Sequence, residues 1–112
     1  MCRFDLIPNW DHNAEMRVIA VKSLRDFWRR HPAARPALRA WLAEAQQAIW
    51  TQPADIKSQY GNASILKHRR VVFNIKGNDY RLVVAMHYNR QIAYIRFVGT
   101  HRQYDQIDAT TV

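Results

Sequence analysis

Three strand-length runs stand almost back to back between residues 70 and 99, and they constrain the fold more than any other feature of the chain. Arg70 to Lys76 is the first, with Val71, Phe73 and Ile75 alternating along it. Gly77-Asn78-Asp79 supplies a tight turn, and Tyr80 to Tyr88 is the second run. Asn89-Arg90 makes the next turn, and Gln91 to Gly99 is the third run. Connections this short join only antiparallel neighbours, because a parallel pair needs a crossover of about a dozen residues or more. This part of the chain therefore reads as an antiparallel meander.

The residues before it add one strand and two helices. Met16-Arg17-Val18-Ile19-Ala20-Val21 is rich in β-branched side chains and reads as the opening strand. Ser23 then reads as an N-cap, with Asp26 three residues on as a short capping box. Leu24, Phe27 and Trp28 sit at helical spacing, and Pro32 stops that helix. A second helix starts near Ala34, and Pro36 fits its first turn. Leu38, Trp41, Leu42, Ala45 and Ile49 form its apolar stripe. Trp28 and Trp41 are expected in the core. Residues 51–68 read as a connector, in which Pro53 opens a short helical turn that Gly61-Asn62 ends. A last helical turn is expected near Arg102–Ile107. The order β-α-α-β-β-β predicts an α+β fold of two layers, a small antiparallel sheet with a helical hairpin on one face. The other face, or the rim beside the last strand, is left for a partner.

A chain of 112 residues suits one domain and one hydrophobic core. No apolar run approaches the length of a membrane span, so no membrane association is expected. Cys2 is the only cysteine, which excludes a disulfide framework within the chain and fits a reducing cytoplasm. The net charge is +8, but it is unevenly placed. Residues 1–15 hold one Arg against Asp5, Asp11 and Glu15, so the prefix is at −2 and the body at +10. Such a field favours polyanions, nucleic acid above all, although an acidic protein would also satisfy it. The prefix has no secretory pattern. Two readings of it stand: an upstream start codon before a natural Met16, or a short arm packing through Phe4, Ile7 and Trp10.

The chemistry-bearing residues gather after the third strand. Histidine is the side-chain type that titrates nearest neutrality, which makes His101 the best candidate acid or base. Tyr104 and Asp105 follow three and four residues later, so one helical turn gives all three a common face. Arg81 and Arg96 lie on neighbouring strands and are candidates to clamp a phosphate. Lys57, Lys67, Arg69 and Arg70 are candidates to bind an RNA backbone. Each has a plainer alternative: a surface histidine, strand arginines paired with carboxylates, a tyrosine covering the rim, or a solvated basic turn. Their convergence in a basic chain favours metal-free RNA cleavage. The five histidines show no metal-ligand spacing, so no metal and no other cofactor are expected.

From Met16 onward the chain resembles the HigB toxins of the RelE-like superfamily. The likeness lies in Met16-Arg17-Val18-Ile19-Ala20, in Lys22-Ser23-Leu24-Arg25-Asp26-Phe27-Trp28 and in Pro53-Ala54-Asp55-Ile56-Lys57. It is strongest in Arg70-Val71-Val72-Phe73-Asn74-Ile75, Gly77-Asn78, Tyr80-Arg81-Leu82-Val83-Val84 and Tyr94-Ile95-Arg96-Phe97-Val98-Gly99-Thr100-His101, ending at Tyr104-Asp105. Residues 16–112 are thus expected to form a RelE-like toxin domain, with 1–15 outside the likeness. The resemblance implies a toxin of a type II toxin–antitoxin system. It implies a ribosome-dependent endoribonuclease that cuts translated mRNA by 2′-hydroxyl attack. It implies Arg81 on the scissile phosphate, His101 at a position where RelE itself carries Arg, and Tyr104 as the downstream tyrosine at a shortened spacing. It further implies a HigA-like helix-turn-helix antitoxin as partner. The alternative is a module that binds RNA or the ribosome without catalysis.

Overall fold

A computed structural model describes residues 15–112. The expected arm at Phe4, Ile7 and Trp10 lies outside the described residues. The elements are β1 (Arg17–Ile19), α1 (Val21–Arg30), α2 (Arg35–Gln47), α3 (Pro53–Gln59), β2 (Ser64–Ile65), β3 (Arg70–Ile75), β4 (Tyr80–His87), β5 (Ile92–Thr100) and α4 (His101–Tyr104). Two layers result, with α1, α2 and α3 on one face of a single sheet, so the α+β expectation holds.

The sheet is mixed and has five strands in the order β1-β5-β4-β3-β2. The expected antiparallel sheet is corrected at one edge and gains a strand at the other. β1 runs parallel to β5, with Arg17 opposite Ile92 and Ile19 opposite Tyr94. The chain between them, with three helices and three strands, is long enough for a parallel pairing. β2 arises inside the expected connector and pairs Ser64 with Val72. Two residues are too few for a periodicity to show.

The helices enter differently from the expectation. α1 begins at Val21, and its N-cap is Ala20 in a left-handed conformation (φ 71°), not Ser23. Asp26 accepts a hydrogen bond from Lys22 at 2.9 Å, and this bond holds its carboxyl below the usual carboxylate range. Leu24 and Phe27 of α1, and Leu38, Trp41 and Ala45 of α2, are buried on the sheet. α2 ends at Gln47, so the helical phase stops before Ile49, which is 58% exposed, and Trp50 is buried instead. Phe73 stands at the centre of this layer. Trp41 meets it edge-on at 5.3 Å, Trp50 stacks at 6.1 Å, and Tyr60 approaches edge-on at 5.2 Å.

A bulge in β5 sorts side chains between the two faces. Val83 pairs with Phe97 and Val84 with Ile95, leaving Arg96 without a partner. Ile95 and Val98 therefore both join the helix-side core, while Phe97 joins the opposite face. On that opposite face Val72, Val83 and Phe97 form a small apolar patch covered by Tyr104, Ile107 and Ala109. The face expected to be open is thus partly closed by the chain's own last residues.

Candidate active site

The site is built where two connections meet. The loop from Lys76 to Asp79 joins β3 to β4, with Lys76 (φ 52°) and Gly77 (φ 65°) both left-handed. Glycine reaches that region without steric cost, which suits a tight reversal. The second connection is the junction of β5 and α4. Thr100 caps α4 by accepting from the Gln103 amide at 3.1 Å, and the Gln103 side chain accepts from the Thr100 amide at 2.9 Å. The helical turn so made starts at His101, one residue before the expected Arg102. Gly99 is required by close approach. A Cβ there would lie 2.6 Å from Phe97 Cζ and 2.8 Å from Gln103 Oε1.

The two connections are tied together by backbone. The His101 amide donates to the Asp79 carbonyl at 3.1 Å. Register places Arg81 opposite Gly99 and Tyr80 opposite Thr100. Arg81 and His101 therefore reach one corner of the sheet from adjacent strands. Arg81 Nη1 donates to the Asn78 carbonyl at 3.1 Å, and its guanidinium carbon lies 5.8 Å from the centre of the Tyr104 ring. His101 Nδ1 stands 3.5 Å from Asp105 Oδ2, one helical turn on, with both side chains more than half exposed. At that exposure the pair steers the ring only weakly. The corner thus presents one guanidinium held from two sides, and one imidazole free to meet solvent or substrate.

The remaining candidates are placed elsewhere. Arg96 is on the same outer face as Arg81, but the apolar row of Val83 and Phe97 lies between them. Arg96 stacks on Tyr94 at 5.1 Å and donates to the Val112 carbonyl oxygen at 3.1 Å. Arg70 donates to that same oxygen from Nη2 at 2.8 Å and from Nε at 3.2 Å. Lys67 and Arg69 are exposed in the turn before β3. Lys57 Nζ is spent on the Gly61 and Ala63 carbonyls, each at 2.8 Å, and so secures the loop after α3. The structure brings together Arg81, His101, Tyr104 and Asp105. It groups Arg70 and Arg96 around the tail, apart from that corner. Sequence reading took Asn78 only as a turn residue and gave Gln103 no role, yet both hold the corner in shape. Gln103 carried a signal, since Thr100 with Gln103 three residues later is a capping-box pattern.

The two-layer α+β domain built on this five-stranded mixed sheet is of the RelE-like class. Residues 34–107 match the family model HigB_toxin, described as the RelE-like toxic component of a toxin–antitoxin system. The match spans most of the chain, and the chain belongs to this family. It is 29% identical over 92 residues to the mRNA interferase toxin HigB of Escherichia coli K12, covering 80% of this chain and 88% of that protein. The mRNA interferase HigB of Escherichia coli O157:H7 and that of Shigella flexneri are similar to the same extent. Among the described residues no helix is long and apolar enough to cross a membrane.

Proposed function

We propose that this toxin is an endoribonuclease that cleaves messenger RNA on the translating ribosome without a metal ion. The observation that carries the reading is the convergence of Arg81 and His101 on one corner through the β4–β5 register and the backbone bond from His101 to Asp79. Arg81 receives the phosphate, and its contacts with Asn78 and Tyr104 restrict it before substrate arrives. The 2′-oxygen attacks phosphorus, the bond to the 5′-oxygen breaks, and a cyclic phosphate forms. His101 protonates the departing 5′-oxygen, while the 2′-proton leaves to solvent. Asp105 biases the imidazole ring. A site with so few groups gains from a ribosome that fixes the message in place, since orientation alone is worth several kcal/mol of barrier. The relatives named mRNA interferases support the substrate. A HigA-like helix-turn-helix protein is the partner that silences the toxin.

The test is primer extension on a translated message, with and without ribosomes. Wild-type protein should produce ribosome-dependent breaks, and Arg81→Ala and His101→Ala should not. A second reading, binding without cleavage, draws on the loose 3.5 Å pair of His101 and Asp105. Growth arrest with intact messages would establish that reading and defeat the first.

A further inference from the structure

The end of the sheet where β4 finishes, opposite the end that holds Arg81, carries a second cationic region. Arg69, His87, Tyr88, Asn89 and Arg90 line an open cleft of about 540 Å³ there. Two guanidiniums, an imidazole and a carboxamide face one space, and among the described residues no carboxylate lines it. Among the described residues neither Arg69 nor Arg90 enters an ion pair, whereas Lys22, Arg29 and Lys76 each do. The Tyr88 phenol is raised above its usual range, by burial first and then by the Asp55 carboxylate. Asp55 is already held by the Thr51 amide and hydroxyl, each at 2.9 Å.

Backbone geometry fixes this corner. His68 (φ 59°) and Arg69 (φ 60°) are left-handed in succession, a costly conformation for residues other than glycine. The Arg69 carbonyl accepts from the Met86 amide at 2.8 Å, which locks the turn to the end of β4. Register sets Arg17 opposite Ile92 and Ile92 opposite His87, so a further cation stands beside the cleft. One row closer to the middle of the sheet, Tyr94 is 38% exposed with Arg96 over its ring. A cationic cleft beside an exposed aromatic ring is the pairing that holds single-stranded nucleic acid, charge on the backbone and ring on the base.

We propose that this cleft is a second RNA site, in which Arg69, His87 and Arg90 bind a backbone phosphodiester and Tyr94 stacks a neighbouring base. From Arg81 to His87 the strand advances about 20 Å, so the two sites cannot hold the same phosphate. The cleft holds the strand away from the bond that is cut. The inference rests on the RNA-cleaving reading of the Arg81 corner and adds a place where the same strand is anchored.

The experiment titrates the full chain with a fluorescein-labelled single-stranded RNA at several salt concentrations. Arg69→Gly suits the left-handed backbone at that position, so it removes the charge without disturbing the turn. Combined with Arg90→Gln, it should reduce the slope of log affinity against log salt by about 1.4, roughly 0.7 for each cation lost. Tyr94→Ala should weaken RNA binding roughly tenfold while leaving that slope unchanged. In the unmutated protein the His87 imidazole resonances should move on adding the RNA, and this readout does not depend on any variant folding. A slope equal to wild type in the double variant, or a silent His87, overturns the proposal. A His87 response to inorganic phosphate but none to RNA also overturns it, because the cleft is then a site for small anions. Arg81→Gln separates the two readings. If it abolishes cleavage while the cleft-dependent slope persists, both stand. If wild-type protein never cleaves but the cleft still governs RNA binding, the nuclease reading falls and the second site survives.

Discussion

The guanidinium of Arg81 lies over the ring of Tyr104, 5.8 Å from its centre. The two meet because β5 returns beside β4 and α4 then folds across the sheet. Tyr104 also packs with Ile107 over the Val83–Phe97 patch. One ring therefore supports both the active corner and the closing segment.

Tyr104→Phe should retain more growth arrest than Tyr104→Ala, since it keeps the ring under Arg81. The alanine variant should also lose about 1–2 kcal/mol of stability, as measured by urea unfolding. Equal loss of arrest in both, with both folded, would give the hydroxyl a chemical role.

His101→Ala should lower cleavage of a translated message by about 10²- to 10⁴-fold, the usual range for a lost proton donor. Its melting temperature should stay close to wild type, because the side chain is more than half exposed. Asp105→Asn should cost less than about tenfold, given the 3.5 Å separation. Primer-extension band intensities measure both.

Gly99→Ala should be disproportionately damaging for one methyl group. The added carbon would press on Phe97 and Gln103, so either the outer patch or the α4 cap must shift. The expected loss is about 1–3 kcal/mol in chemical denaturation, accompanied by weaker cleavage.

The end of the chain should loosen in acid. Asp108 accepts from the Thr110 hydroxyl at 2.6 Å and from the Thr110 amide at 2.9 Å, and these bonds depress its carboxyl below the ordinary 3.8. A carboxylate depressed on folding stabilises the fold above its unfolded value and loses that effect as pH falls through the folded one. The protection factor of the Thr110 amide, its exchange rate relative to the unprotected rate at the same pH, should therefore fall below about pH 4 and stay constant above it. Asp108→Asn should abolish that dependence.

Phe73→Ala should cost about 3–5 kcal/mol, since three aromatic rings lose their common partner. Thermal unfolding should show a large fall, with β4 and β5 losing exchange protection together with β3.

The strand runs of residues 70–99, the two helical stripes and the core position of Trp41 were legible in the sequence because each depends on neighbours a few residues away. Turn residues, alternation and the 3.6-residue period are local signals. So was the grouping of His101, Tyr104 and Asp105, which one helical turn spans. The failures lie where distant segments decide. Nothing near Val18 says that β1 runs parallel to β5. Nothing near Ile65 marks a two-residue edge strand. Trp50 displaces Ile49 from the core because α2 ends at Gln47 and the apolar pocket around Phe73 selects the residue that reaches it.

The sequence by itself determined the two-layer class, the basic character and the residue types able to grip a phosphate and move a proton. Only the tertiary structure decided how they are shared out. The bulge at Arg96 and the tail over Val83 and Phe97 part the cations of one face into two regions. The physical reason is that a bulge and a cover are settled by packing between strands and segments far apart in the chain, and such packing leaves no period in the sequence to read.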